Sequence, residues 1–323
     1  MRIHLAILDT DVPVPTVYAA RGLYSSQFRR LLQSAAARLT DNDSKAEGIT
    51  IQTSSYDVPG GSFPAFATLR KNTNKRKENV HVNTDEKEEA FSPIDAILIT
   101  GSLASTYELD KVPWVRQLQE FVQTVWTRYP AVKWVGSCFG HQMIAQALLS
   151  RHYPKNNQQR MIGDEKEVEV AAVQRCAAGY EIGISPILLD SAFLETVPGK
   201  ALKGLENGMM RVQLFHGDQV VVSSSLPTPW MNIGSTPLCS IQGLYYPGRV
   251  LTYQGHFEFD AFVNRELVLY CGEKAGWGDQ RIAGFVAQIG EEGEDDSEVA
   301  AEAVVRFLVD DGNSLNGIQM QGG

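Results

Sequence analysis

Cysteine is scarce in this chain: Cys138, Cys176, Cys239 and Cys271 are four in 323 residues. None has the paired spacing of a metal ligand set, and four in so long a chain do not make a disulfide scaffold. Long apolar runs are missing too, since no stretch approaches the roughly 20 residues that cross a bilayer. Basic residues are in the minority, 29 Lys and Arg against 38 Asp and Glu, which leaves a net charge of -9 and a pI near 5.2. That balance argues against a nucleic-acid partner, because phosphates want a basic face. There is no internal repeat, so a solenoid is excluded. The opening Met1-Arg2-Ile3-His4 reads as the lead into a strand rather than a secretory leader. With no disulfide framework beside it, a reducing cytoplasmic setting is expected.

What is present is enough apolar residue, 43%, to bury a full core. The length sits near the upper limit for one domain, so one domain with additions is the economical reading. Strand patterns at 3–9, 49–56, 94–100 and 131–135 alternate with helical spacing at 25–39, 114–129 and 142–149. This order predicts an α/β fold whose sheet is mainly parallel and flanked by helices. Further strands are predicted at 167–173, 220–222, 238–246 and 249–253, while 186–189 and 213–216 are placed on the substrate-facing side. Asp11-Val12-Pro13-Val14-Pro15 reads as a loop that a helix cannot enter. The charged stretch 70–92, with Lys71, Lys75, Arg76 and Lys77 before Asp85, Glu86, Glu88 and Glu89, reads as a solvated, disordered insertion. The expected division is a main domain over 1–271 and a C-terminal extension over 272–323. One closing helix is expected there, over 298–309 with Ser297 as its N-cap, followed by a fraying Gly-rich end.

Chemistry concentrates around Gly136-Ser137-Cys138-Phe139-Gly140-His141-Gln142. Glycines two before and two after a nucleophile-capable side chain suit a sharp strand-to-helix turn, with the neighbouring Cβ atoms kept clear. The turn lifts the sulfur to the start of a helix, where free N–H groups and the helix dipole favour an anion. A lone motif of this kind fits a buried, inert cysteine about equally well. The second element tips the balance: Gln254-Gly255-His256-Phe257-Glu258 follows the strand pattern at 249–253. A thiol nucleophile needs an imidazole to move its proton and a carboxylate to orient that ring. Glu258, two positions beyond His256, projects to the same side in an extended segment. Third, Gly101-Ser102-Leu103 ends the apolar 94–100 run, where a backbone N–H can meet an oxyanion, with the Phe139 N–H as a second donor. An ordinary turn fits Gly101-Ser102 as well.

The Gly-Ser-Cys-Phe-Gly-His-Gln elbow, the Ile99-Thr100-Gly101-Ser102 loop and the Gln-Gly-His-Phe-Glu-Phe strand end resemble class I glutamine amidotransferases. Similar stretches occur at Leu5–Asp11, Tyr180–Gly183 and Phe215–Val220, and the match runs over roughly residues 3–265. Within that superfamily the chain is similar to the stand-alone branch that includes plant γ-glutamyl peptidases and many fungal proteins. The resemblance implies a flavodoxin-like fold with the catalytic cysteine on its elbow. It implies Cys138 as nucleophile, His256 as general acid/base, Glu258 as the orienting acid, and Ser102 and Phe139 as oxyanion donors. Gly101, Gln142, His216 and Asp218 would lie around the substrate. The implied reaction is hydrolysis or transfer of a γ-glutamyl amide through a γ-glutamyl thioester, without cofactor or metal. The implied partners are glutamine, glutathione or a conjugate, with an ammonia-accepting synthase or a role in specialised metabolism as alternatives.

Two departures accompany the resemblance. Phe257 stands where the family usually has proline, and Leu103 where the oxyanion loop often has one. They leave room for a second class of function, a catalytically weak regulatory or partner-binding subunit. His216 with Asp218 could pair on a metal, but no third ligand of matching spacing accompanies them. His141 is expected to be structural, and Glu181 either lines the pocket or is a solvated turn acid.

Overall fold

The computed structural model describes residues 1–42, 48–71, 92–150 and 171–310. The alternation of apolar strands with helices produces a seven-stranded sheet. Its parallel part comprises β1 (Arg2–Asp9), β2 (Thr50–Asp57), β3 (Ala96–Ile99), β4 (Lys133–Ser137) and β14 (Val250–Tyr253). Two strands complete one edge antiparallel: β13 (Gly243–Tyr246) against β14, and β11 (Met231–Asn232) against β13. The strand order is β11-β13-β14-β4-β3-β1-β2. β3 and β4 are buried along their whole length, as expected of central parallel strands covered on both faces.

One layer over the sheet is α2 (Tyr24–Asn42) with α8 (Ser297–Val309), which share a core with β1 through Phe28, Leu32, Ile3, Val304 and Phe307. The opposite layer is α3 (Pro113–Arg128) with α4 (Phe139–Leu149), packed through Leu118, Val122, Trp134 and Phe139. Three small antiparallel sheets sit beyond the β14 side. They are β5 (Ala171–Arg175) with β10 (Asp218–Val222), β6 (Glu181–Ile184) with β9 (Gln213–His216), and β7 (Ile187–Leu189) between β8 (Met209–Met210) and β12 (Gly234–Ser235).

Several expectations change. α1 (Pro15–Arg21) starts at Pro15, in the loop predicted to bar a helix; proline is tolerated at the first helical position because its missing N–H has no partner there anyway. α4 begins directly after Cys138 rather than at Gln142. A further helix, α6 (Ala261–Lys274), was not legible, since Leu267 and Val268 are buried while Leu269 and Tyr270 are exposed, leaving no clean apolar stripe. The division at residue 271 falls inside this helix. Beyond it the extension holds α7 (Asp279–Val286) as well as α8, not one helix. The N-cap position of α8 is Asp296, and Ser297 is its first helical residue. Of the strand predicted at 167–173, only residues from Ala171 onward are described, as β5. Of the insertion predicted over 70–92, residues 72–91 lie outside the described residues, as do 167–170 and the chain after residue 310, whereas Arg70 is ordered, its N–H donating to Ile94 O at 3.0 Å.

Candidate active site

The parallel register explains how distant residues meet. β14 lies beside β4 with Tyr253 opposite Ser137, and β3 lies on the other side with Ile99 opposite Gly136. The residues that follow each strand, Gly101, Cys138 and His256, therefore emerge together at the sheet's carboxyl edge, where ligands of open α/β sheets bind. The Cys138 N–H donates to Tyr253 O at 2.9 Å, joining the elbow to the strand that leads to His256.

The elbow is tight enough to need both glycines. A Cβ on Gly140 would sit 2.1 Å from Ile99 O, and one on Gly136 would sit 2.6 Å from the Gly140 carbonyl carbon. The positive φ falls on Cys138 itself, at 49° with ψ -106°. A side-chain-bearing residue in so sparsely populated a region costs on the order of 1–3 kcal/mol and persists only where its surroundings hold it. Phe139 opens α4, so its N–H has no intrahelical acceptor.

His256 is held from three sides. Its N–H donates to Gln213 O at 2.7 Å, its Nδ1 lies 2.8 Å from Glu258 Oε1, and its ring stacks on Phe259 at 3.9 Å between centroids, 9° from parallel. The His256–Glu258 contact forms across a turn rather than along an extended segment, because residues 257 and 258 turn directly after the bridge to Gln213. Burial opposes charge on the ring, but the Glu258 carboxylate, the Cys138 sulfur and hydrogen bonds to both outweigh it, raising the imidazole to about 10. The thiol itself points at Phe215 O, 3.8 Å away. Gly101 closes over the imidazole, since a Cβ there would lie 2.7 Å from His256 Cε1.

Sequence reasoning missed Ser137. Its buried hydroxyl lies 3.0 Å from Glu258 Oε2 and gives that carboxylate a second partner. The two family departures also find roles. Phe257 is buried and packs edge-on against Phe28 and Tyr253, at 5.3 and 5.5 Å. The Leu103 N–H donates to Asp11 Oδ2 at 3.0 Å.

A cleft of about 540 Å³ opens beside Cys138. Gln142, Ser102, His216 and Asp218 line it, so the structure brings these together, while Gly101 lines a smaller cavity shared with Cys138 and His256. Gln142 Nε2 donates to Asp218 O at 2.9 Å and Gln254 Oε1 at 3.1 Å. Asp218 accepts from Ser105 Oγ at 2.6 Å and Tyr107 OH at 3.2 Å, which ties β10 to the loop after Ser102. Residues 186–189, placed by sequence on the substrate side, line none of this cleft; β7 packs into the core with Met210 and Phe193.

Glu181 is neither in the cleft nor solvated. It is buried, 3.0 Å from His216 Nε2 in a contact poorly aligned for a hydrogen bond, and accepts from Gln242 Nε2 at 2.9 Å. Burial alone would raise its carboxyl; the His216, Thr236 and Gln242 contacts hold it lower. His141 is fully buried with Nδ1 2.8 Å from Thr252 Oγ1, and burial and the nearby His216 push it down to about 3. Among the described residues no cluster of three metal-ligating side chains occurs, and no helix is long and apolar enough to cross a membrane.

No protein-family model matches the chain. It is similar to a Schizosaccharomyces pombe protein described by inference as glutamine amidotransferase-like, 27% identical over 310 residues, 96% of this chain and 100% of that one. A Saccharomyces cerevisiae protein described by inference as a glutamine amidotransferase is 31% identical over 181 residues, 55% of this chain and 58% of that one. Among solved structures, a glutamine amidotransferase from Thermotoga maritima superposes with a TM-score of 0.53 at 15% identity, covering 96% of this chain and 98% of that one. One from Methylobacillus flagellatus gives 0.50 at 11% identity, covering 95% and 94%. At these identities the structural likeness speaks to fold.

Proposed function

This chain is glutamine amidotransferase-like in both sequence and fold, and on that footing we propose that it is a thiol enzyme acting on γ-glutamyl amides. The observation that carries the proposal is the meeting of Cys138, His256 and Glu258 at one sheet edge, with the His256 Nδ1 2.8 Å from the carboxylate and the thiol on a strained elbow. In this reading the Cys138 sulfur attacks the γ-carbonyl carbon as the thiolate, its proton held on His256, and the N–H groups of Phe139 and Ser102 receive the oxyanion. His256, cationic through the neutral range, gives its Nε2 proton to the departing amine, and the C–N bond breaks to leave a γ-glutamyl thioester. The now neutral imidazole takes a proton from water or another acceptor, which attacks the thioester and frees the sulfur as thiolate, restoring the cationic ring. Glu258 holds the ring through its Nδ1.

The cleft lies within the range of about 300–1,000 Å³ that accommodates drug-sized ligands. That size supports a γ-glutamyl peptide or conjugate alongside free glutamine, and stand-alone hydrolysis in a reducing cytoplasm suits a working thiol. Against the regulatory-subunit reading, Phe257 fills core space and Asp11 holds the Leu103 N–H, which supports the enzyme reading. The test is a chromatographic screen of glutamine, glutathione and S-conjugates with ammonia measured in parallel. Release of glutamate by the wild type and its loss in Cys138→Ala is the expected result. Equal turnover by the variant removes Cys138 from the nucleophile role.

A further inference from the structure

The Gly101–Leu103 loop has no proline to stiffen it, and Leu103 is 61% exposed. A peptide free to rotate there would swing its N–H away from a developing oxyanion. Thr10, directly after β1 and 1% exposed, sits against this peptide. Its N–H donates to Thr100 Oγ1 at 3.0 Å. Its hydroxyl lies 3.0 Å from Gly101 O, 3.0 Å from Thr100 Oγ1 and 3.1 Å from Thr100 O. Thr100 Oγ1 lies 3.3 Å from the same Gly101 oxygen. Two buried hydroxyls, one on the residue after β1 and one on the residue after β3, therefore face the Gly101 carbonyl.

That carbonyl and the Ser102 N–H belong to one peptide plane. In a trans peptide they point in opposite directions, and the one cis bond among the described residues is Thr228–Pro229. Holding the carbonyl toward Thr10 turns the Ser102 N–H the other way. On the next peptide, Asp11 Oδ2 accepts from the Leu103 N–H at 3.0 Å and lies 3.3 Å from Ser102 Oγ. Gly101, Ser102 and Asp11 border the small cavity shared by Cys138 and His256.

We infer that Thr10 and Asp11 are positioning residues for the oxyanion site: Thr10 fixes the Gly101 carbonyl so that the Ser102 N–H faces the nucleophile, and Asp11 fixes the loop beyond it. The stiffness comes from side chains at the end of β1 in place of a loop proline. The inference rests on the proposed roles of Cys138 and Ser102.

The test is steady-state kinetics of the full chain carrying Thr10→Val, Thr10→Ser, Asp11→Ala or Cys138→Ala. The substrate is whichever of glutamine, glutathione and γ-glutamyl-p-nitroanilide the wild type turns over fastest. Thr10→Val is nearly isosteric and is expected to lower kcat by roughly tenfold to a hundredfold with KM within about threefold, part of the effect of losing an oxyanion donor. Thr10→Ser keeps the hydroxyl and should restore kcat to near wild type. Asp11→Ala, at a half-buried position, should lower kcat in the same manner and keeps the test open if Thr10→Val does not fold. A silent Cys138→Ala together with wild-type kcat in Thr10→Val and Asp11→Ala overturns the positioning role and leaves the nucleophile in place. Equal losses in Thr10→Val and Thr10→Ser also overturn it, since the hydroxyl is then not the cause. Wild-type turnover in Cys138→Ala, or no turnover by the wild type, overturns the underlying reading and this inference with it.

Discussion

Glu258 has two partners, the His256 ring at 2.8 Å and the Ser137 hydroxyl at 3.0 Å. Ser137 directly precedes Cys138, so one short backbone segment carries the thiol on one residue and the hydroxyl that anchors the Glu258 carboxylate on the residue before it. A hydrogen bond to a charged group contributes about 1.5–3 kcal/mol in buried settings. Ser137→Ala is therefore expected to lower kcat roughly tenfold and to destabilise the fold by about 1.5–3 kcal/mol, read from denaturant unfolding; unchanged kinetics would show that His256 alone holds the carboxylate. Cys138, His256 and Glu258 were readable in the sequence because glycines and short spacings mark them. Ser137 was not, since a serine within a strand pattern carries no sign of a partner 121 positions away. Thr10 was hidden for the same reason: its partners are 90 and 91 positions away.

At the scale of elements, α8 is the piece that ties the extension to the body. Its Val304, Phe307 and Leu308 are fully buried against β1 and α2, and the Lys133 Nζ on β4 donates to Phe307 O at 2.6 Å and Asp310 O at 2.5 Å. The cation thereby meets the negative end of the helix dipole. Phe307→Ala should destabilise the fold by about 3–5 kcal/mol, the range for deleting a buried aromatic, read from denaturant unfolding. A loss under about 1 kcal/mol would mean that α8 is only loosely docked. The apolar spacing of this helix was visible in sequence. α6 and α7 were not, because α6 is apolar on both faces and α7, at 8 residues, is too short for a helical period to stand out. α1 was lost to a rule about proline that holds inside a helix and not at its first position.

Over the whole molecule, four neighbouring parallel strands deliver Thr10, Gly101, Cys138 and the Gln254–Glu258 turn to one edge. The alternation of strands and helices made that architecture legible, whereas the three small antiparallel sheets, built from strands of two to five residues, gave little periodicity to read. Neighbouring charges and burial together set the pH behaviour of the site. His256, raised from 6.5 to about 10, binds its proton more tightly in the folded state. Its contribution to stability is full below about pH 6.5 and is lost as pH rises toward about 10. His141 works in the opposite sense: lowered to about 3, it penalises the folded state as pH falls from about 6.5. The profile of kcat/KM should accordingly keep its imidazole-dependent alkaline limb near pH 10; a limb near 6.5 would show that Glu258 and Cys138 do not hold the ring cationic.

The central claim is a covalent one: the Cys138 sulfur takes up the γ-glutamyl group. Intact-protein mass spectrometry of the full chain, quenched in acid during turnover or treated with an electrophilic glutamine analogue, tests it directly. A single adduct that maps to the Cys138 peptide and vanishes in Cys138→Ala is the expected result. Turnover with no adduct, or an adduct that persists in the variant, would contradict it.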